Sequence, residues 1–247
     1  MTAALVWGLA ACGGGGGGGN DAGGAPDGRG QLLERPAPAG TFTVAELDAG
    51  TTARALRAAT GPARCAVQVQ ALHYRTPGVD GSPSDASAAL LLPAPGCVAG
   101  PLPLLSYTRS TEVHRPRTLA STGDWDTFLL AAMYATQGHA VVATDYLGYA
   151  RSTHATHPYL HAASEATTVI DAVRAARHAA AAQGVALSGD VRLAGYSQGA
   201  HASMAAQRAI EAQHASEIRL AGSAHLAGPY NVSGLLQGDL AIVGVQY

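Results

Sequence analysis

The chain reads as an α/β protein built on a mostly parallel, doubly wound sheet. Three features carry that reading. Apolar strand-like runs alternate with amphipathic helices from residue 102 onward. Two strands of alternating polarity precede them, as a short antiparallel start. Apolar residues make up 47% of the 247 positions and charged residues only 13%, a balance that suits one packed domain. That domain is expected over residues 41–247, behind a signal over 1–12 and a flexible Gly/Pro-rich linker over 13–40.

Residues 2–11 form a short apolar stretch that ends in Leu9-Ala10-Ala11-Cys12. This ending resembles a bacterial lipobox, in which the signal is cut before the cysteine and the thiol is diacylated. Cys12 then anchors an exported protein to a membrane. Nothing basic precedes the stretch, as a secretory signal requires, so the other reading is a low-complexity tail with a chance cysteine. The glycine run 13–19 and the polar stretch to residue 30 form the tether.

Residues 44–59 pattern as a short helix, weakened in the middle by Gly50. Residues 66–72 alternate as a half-buried strand, 76–84 carry turn residues, and 86–92 form the second strand, stopped by Pro93 and Pro95. Cys65 and Cys97 flank this pair, and in an exported protein they suggest a disulfide; two buried thiols are the alternative. Residues 102–107 read as the first central strand. A helix over 124–137 carries Phe128, Leu129, Ala132 and Met133 at helical spacing and stops at Gly138. A buried strand over 140–144 follows, then a long helix over 165–182, a strand over 190–194, a helix from about 198 to 210, and a strand over 219–226.

Between the strand 190–194 and the helix after it lies Gly195-Tyr196-Ser197-Gln198-Gly199. A G-x-S-x-G at a strand-to-helix turn is the nucleophile elbow of α/β-hydrolases, whereas elsewhere it is an ordinary Gly/Ser turn. Glycines flank the serine because the turn is too tight for side chains. Ser197 is therefore the candidate nucleophile, and the Gln198 backbone N–H, at the helix start, a candidate oxyanion donor. The second donor belongs to the loop after the first central strand, Thr108-Arg109-Ser110-Thr111, where Arg109 or Ser110 can serve through its backbone.

A serine needs a base, and in this fold a carboxylate and then a histidine follow the nucleophile. The carboxylates after Ser197 are Glu211, Glu217 and Asp239, and the histidines are His201, His214 and His225. No histidine follows Asp239. Glu211 and His214 lie on or beyond a helix that leaves the site, His201 reads as a helix-surface position, and His225 falls in or near the next strand. The triad acid and histidine are thus expected outside this sequence, on a fold that is C-terminally truncated here.

Several segments resemble the secretory lipases of the fungal lipase A type and their bacterial relatives. They are Leu105-Ser106-Tyr107, Asp145-Tyr146-Leu147-Gly148-Tyr149 with Ser152 and His157-Pro158-Tyr159-Leu160, the segment from Gly195 to His201, and Gly228-Pro229-Tyr230-Asn231. The resemblance covers about residues 60 to 235. It implies an exported carboxylic-ester hydrolase of α/β-hydrolase fold, with an inserted cap and a later Asp and His. It also implies that Asp145 is structural and holds a loop. Arg109-Ser110 stands where the family commonly has His-Gly.

The leading expectation is an esterase or lipase acting on uncharged acyl esters through an acyl-enzyme. Its rivals are a serine peptidase of the same fold and a lipid-anchored, non-catalytic binding protein. Cutinases share the Gly-Tyr-Ser-Gln-Gly elbow but lack the Asp-Tyr-Leu-Gly and His-Pro-Tyr segments. A net charge of −2 with no basic stripe argues against nucleic acid. His154, His157 and His161 lack the Cys or carboxylate that would complete a metal set, and no cofactor is expected. The Asn231-Val232-Ser233 sequon is expected to stay bare in a bacterial lipoprotein. The oligomeric state is left open. The apolar run 240–245, beside an uncovered sheet edge, predicts poor solubility of these residues expressed alone.

Overall fold

The computed structural model describes residues 28–234. Cys12, the 13–19 glycine run, Asp239 and the 240–245 stretch lie outside the described residues. In chain order the strands are β1 (Ala37–Phe42), β2 (Val67–Pro77), β3 (Pro83–Pro93), β4 (Leu102–Thr108), β5 (Ala140–Tyr146), β6 (Leu187–Tyr196) and β7 (Arg219–Leu226). The helices are α1 (Val44–Ala53), α2 (Arg57–Thr60), α3 (Trp125–Met133), α4 (Ala162–Ala182) and α5 (Gln198–Ala209).

The strands form one sheet of order β1-β2-β3-β5-β4-β6-β7. Pairing is antiparallel from β1 through β3 to β5, and β5, β4, β6 and β7 run parallel. Helices cover both faces. On one, Val169, Ile170 and Val173 of α4 and Ala202 and Ala206 of α5 pack on Leu90, Leu104, Val142 and Leu193. On the other, Leu47 of α1 and Leu130 and Ala131 of α3 pack on Val69, Leu91, Leu105 and Val141. Leu90 and Leu91 thus enter opposite cores, as the period of two along a strand dictates. This is the mostly parallel, doubly wound sheet that the alternating pattern predicts, and it is consistent with the α/β-hydrolase fold that the 195–199 motif and the family resemblance imply.

β1 includes residues 37–40, which composition alone assigns to the linker. It pairs with β2 through a bulge between Pro38 and Gly40, and only Phe42 is buried. An edge strand held by main-chain bonds needs no apolar alternation, and it tolerates the proline. The expected helix 44–59 is instead two helices. α1 opens on a capping box between Thr43 and Glu46, and Ala55 takes a φ of 55° that breaks the run. The helix expected over 124–137 tightens at its end into a 3₁₀ turn, Ala135–Gln137. α4 starts earlier than expected, because His161 caps it by accepting from the Ser164 N–H. Cys65 and Cys97 are bonded, with Cα atoms 5.9 Å apart, and close the open end of the β2–β3 hairpin.

The chain leaves β4 toward β5 on one side, and β6 toward β7 on the other. Connections that diverge from adjacent parallel strands leave a crevice outside their carboxyl ends, where ligands of such sheets bind. Thr108 ends β4 directly beside Gly195 of β6. The switch point therefore lies between the loop after β4 and the turn after β6.

Candidate active site

Ser197 occupies the turn from β6 into α5 with φ 56° and ψ −122°, a conformation that costs a non-glycine residue free energy. Its neighbours explain why the turn persists. A Cβ on Gly195 would collide with the Gly199 carbonyl oxygen, and one on Gly199 would collide with the Thr108 carbonyl oxygen. Both glycines are fixed by close backbone approach. The Thr108 hydroxyl lies 3.0 Å from the Ala194 carbonyl oxygen and 2.6 Å from that of Gly199, so β4 grips both sides of the turn. The Ser197 N–H donates to the Leu226 carbonyl oxygen at 2.9 Å, which ties the turn to β7. Ser197 itself is half-buried. As the first helical residue, Gln198 has an N–H with no intrahelical acceptor.

The loop after β4 is built on buried charge. Arg109 is fully buried, and its Nη2 donates to Glu112 Oε2 at 2.6 Å. Its Nη1 lies 3.8 Å from Asp145 Oδ1. Glu112 also accepts from the N–H groups of Val113 and His114, and from Arg117 Nη1, each at 2.7 Å. Burial alone would raise the Glu112 pKa. The His114 N–H, the Arg117 guanidinium, the Val113 N–H and the Arg109 charge outweigh it, bringing the carboxyl from 4.5 down to about 2. Asp145 accepts from Ser87 Oγ and the Leu119 N–H, each at 2.7 Å, and from Thr118 Oγ1 at 3.0 Å. Its carboxyl, fully buried, is pushed up by desolvation despite those bonds. Asp145 thus fastens the loop to β3 and β5. Ser110 is half-buried, and the Tyr146 hydroxyl donates to the Arg109 carbonyl oxygen at 3.0 Å.

A second polar group lies behind the turn. The Gln198 side chain is buried, with Nε2 2.8 Å from Glu165 Oε1 and 2.5 Å from His157 Nε2. Glu165 Oε2 lies 2.6 Å from His201 Nδ1, and Oε1 accepts from the Leu160 N–H at 3.2 Å. His201 is therefore not the helix-surface residue that its position suggests. Its ring is turned inward because a buried carboxylate on α4 needs partners. Sequence reasoning assigns no role at the site to His157, Glu165 or the Gln198 side chain. Gln198 is 33 positions from Glu165 and 41 from His157, beyond the reach of any local pattern.

The other candidates are scattered. His225 lies on β7 with its ring nitrogens on Ser203 Oγ at 2.7 Å and Gln207 Oε1 at 2.8 Å. His214 and Glu217 sit beyond α5 with Arg174. The structure brings the 195–199 turn and the loop after β4 together, with Thr108 of β4 beside Gly195.

Residues 114–238, just over half the chain, match the secretory lipase family. The rice cell wall degrading esterase LipA from Xanthomonas oryzae, in a ligand-bound form, is 38% identical, with a TM-score of 0.76. The match covers 87% of this chain and 59% of LipA, so the chain spans less than two thirds of that relative's length. Candida antarctica lipase A, at 21% identity and a TM-score of 0.57, shares the fold; that match covers 85% of this chain and 44% of the lipase. No curated protein matches the chain. The residues matched by the family include Asp145, His157, Glu165 and the whole 195–199 turn, and this chain belongs to the secretory lipase family.

Proposed function

We propose that the protein is a serine carboxylic-ester hydrolase, an esterase or lipase, acting through an acyl-enzyme on Ser197. The observation that carries this is the strained Ser197 backbone, held between two glycines whose neighbours exclude a side chain. The base takes the Ser197 hydroxyl proton as Oγ attacks the acyl carbon, the tetrahedral oxyanion takes hydrogen bonds from the Gln198 N–H and an N–H of Arg109 or Ser110, and the ester C–O bond then breaks as the base returns that proton to the leaving alcohol. Water then attacks the acyl-enzyme by the same route. The histidine and carboxylate that serve as base and orienter belong, in this proposal, to chain beyond these residues. The exposed Tyr196, Leu226 and Tyr230 around the turn suit an uncharged, apolar ester.

The test is hydrolysis of a short p-nitrophenyl ester by the gene product at the length its open frame gives. Ser197→Ala is expected to lower kcat by at least about 10³-fold. Retained activity in that variant overturns the assignment of Ser197. Residues 1–247 alone are expected to show no acyl-enzyme burst, and a Ser197-dependent burst from them would place the base inside this sequence. Export with lipidation at Cys12 belongs to the same proposal, and the Cys65–Cys97 bridge suits an oxidising compartment. Labelling with radioactive palmitate, lost in Cys12→Ser, is the expected result.

A further inference from the structure

We propose that His157 and Glu165 are positioning residues for the oxyanion hole: they clamp the Gln198 side chain and thereby fix the Gln198 backbone N–H. The inference rests on the reading of Ser197 as nucleophile and adds two residues that the elbow motif does not contain.

The hydrogen-bond directions follow from the partners. His157 Nδ1 lies 2.9 Å from the Leu147 carbonyl oxygen, which can only accept, so Nδ1 carries the proton. Nε2 of a neutral ring is then an acceptor, and Gln198 Nε2 donates to it at 2.5 Å. The other Gln198 amide hydrogen goes to Glu165 Oε1 at 2.8 Å. Flipping the amide would set its oxygen against the Glu165 carboxylate, so the carboxylate fixes the orientation. Gln198 Oε1 is buried and has no hydrogen-bond partner among the described residues. The side chain is thus held from its nitrogen alone, by two acceptors.

The clamp is stiff. The His157 ring lies against Tyr149 and Tyr146, with centroids 4.7 and 5.4 Å away. Burial lowers its pKa, the direction that favours the neutral ring the acceptor role requires. Glu165 is fixed in turn by His201 and by the Leu160 N–H. Gln198 immediately follows the strained Ser197, and α5 has no side-chain cap to hold its first turn. The clamp supplies what that cap does not, and it does so from the 145–161 segment and α4. A misplacement of about 1 Å at a catalytic group can cost roughly 10²-fold in rate, which gives such a clamp a catalytic consequence.

The test compares His157→Leu, His157→Gln and Gln198→Met in the active gene product. Leucine removes the acceptor. Glutamine can return an acceptor oxygen near the Nε2 position. Methionine keeps the Gln198 backbone and removes both donors. Expected is a fall in kcat of about 10- to 100-fold for His157→Leu and Gln198→Met, with KM within about twofold, and recovery to within about fivefold in His157→Gln. A second readout is the ¹⁵N signature of the His157 ring, expected as Nδ1–H with an unprotonated Nε2 coupled to the Gln198 amide. Wild-type kcat in His157→Leu overturns the clamp. So do equal losses for Leu and Gln that track a common drop in melting temperature. If hydrolysis proves independent of Ser197, the reading of the nucleophile fails instead, and the ring signature still decides whether the clamp exists.

Discussion

Thr108 has no exposed surface, and its one hydroxyl proton serves two carbonyl oxygens on opposite sides of the elbow. Thr108→Val keeps the shape and leaves those oxygens without that donor. A loss of about 1–3 kcal/mol is expected, read as a melting temperature lower by roughly 2–4 °C per kcal/mol for a domain of this size. Gly199→Ala should be worse, because its Cβ meets β4 backbone rather than a flexible side chain; about 3 kcal/mol or more is expected in urea unfolding. An unchanged midpoint in either variant would mean that the turn relaxes freely. The tight turn at Ser197 and the close backbone approach at Gly195 and Gly199 can be read from sequence because a strand-to-helix turn is marked by neighbours in the chain. His157 and Glu165 cannot, since a lone histidine and a lone glutamate acquire meaning only when α4 and the 145–161 segment fold over the turn.

The loop after β4 depends on ionised Glu112. Its carboxyl sits at about 2 when folded against a reference of 4.5. A folded pKa below the unfolded one adds stability that is complete above the unfolded value and is lost as pH falls toward the folded one. The difference corresponds to at most about 3 kcal/mol for a side chain only 8% exposed. Stability measured by urea should therefore decline between about pH 5 and 2.5, and Glu112→Gln should flatten that part of the curve while lowering the plateau. A variant with the wild-type slope would shift the acid sensitivity to other carboxylates. Which segments can be recognised in the sequence follows from what each one buries. The strands of the parallel half are largely apolar and declare themselves, but β1 pairs its backbone at an edge and buries little, so its Ala-Pro-Ala-Gly sequence carries no strand pattern. The split between α1 and α2 is hidden because apolar residues continue across Ala55 while the helical backbone does not.

The two sides of the sheet end differently. β1 closes one edge with a proline and a bulge, devices that discourage further pairing. β7 forms the other edge of the described sheet, and its Ala221, Gly222, Ser223, Ala224 and Leu226 are all exposed. Parallel sheets are ordinarily covered on both faces, and here Leu226, Tyr196 and Tyr230, each more than half exposed, extend the uncovered surface around the turn. An edge of small, uncharged residues beside an apolar patch is a template for association. Residues 1–247 expressed alone are therefore expected to self-associate at concentrations on the order of tens of micromolar, within the range where unpaired edges aggregate. Sedimentation velocity should show mass rising with concentration. Ala221→Lys combined with Ala224→Lys should restore a monomer without altering the far-ultraviolet circular dichroism, because charge on an edge strand opposes pairing and the β6–β7 ladder is untouched. A wild-type monomer up to about 100 μM would mean that β7 is protected by something other than the described residues, whereas association that survives both lysines would place the contact on the Tyr196–Tyr230 surface instead of the edge.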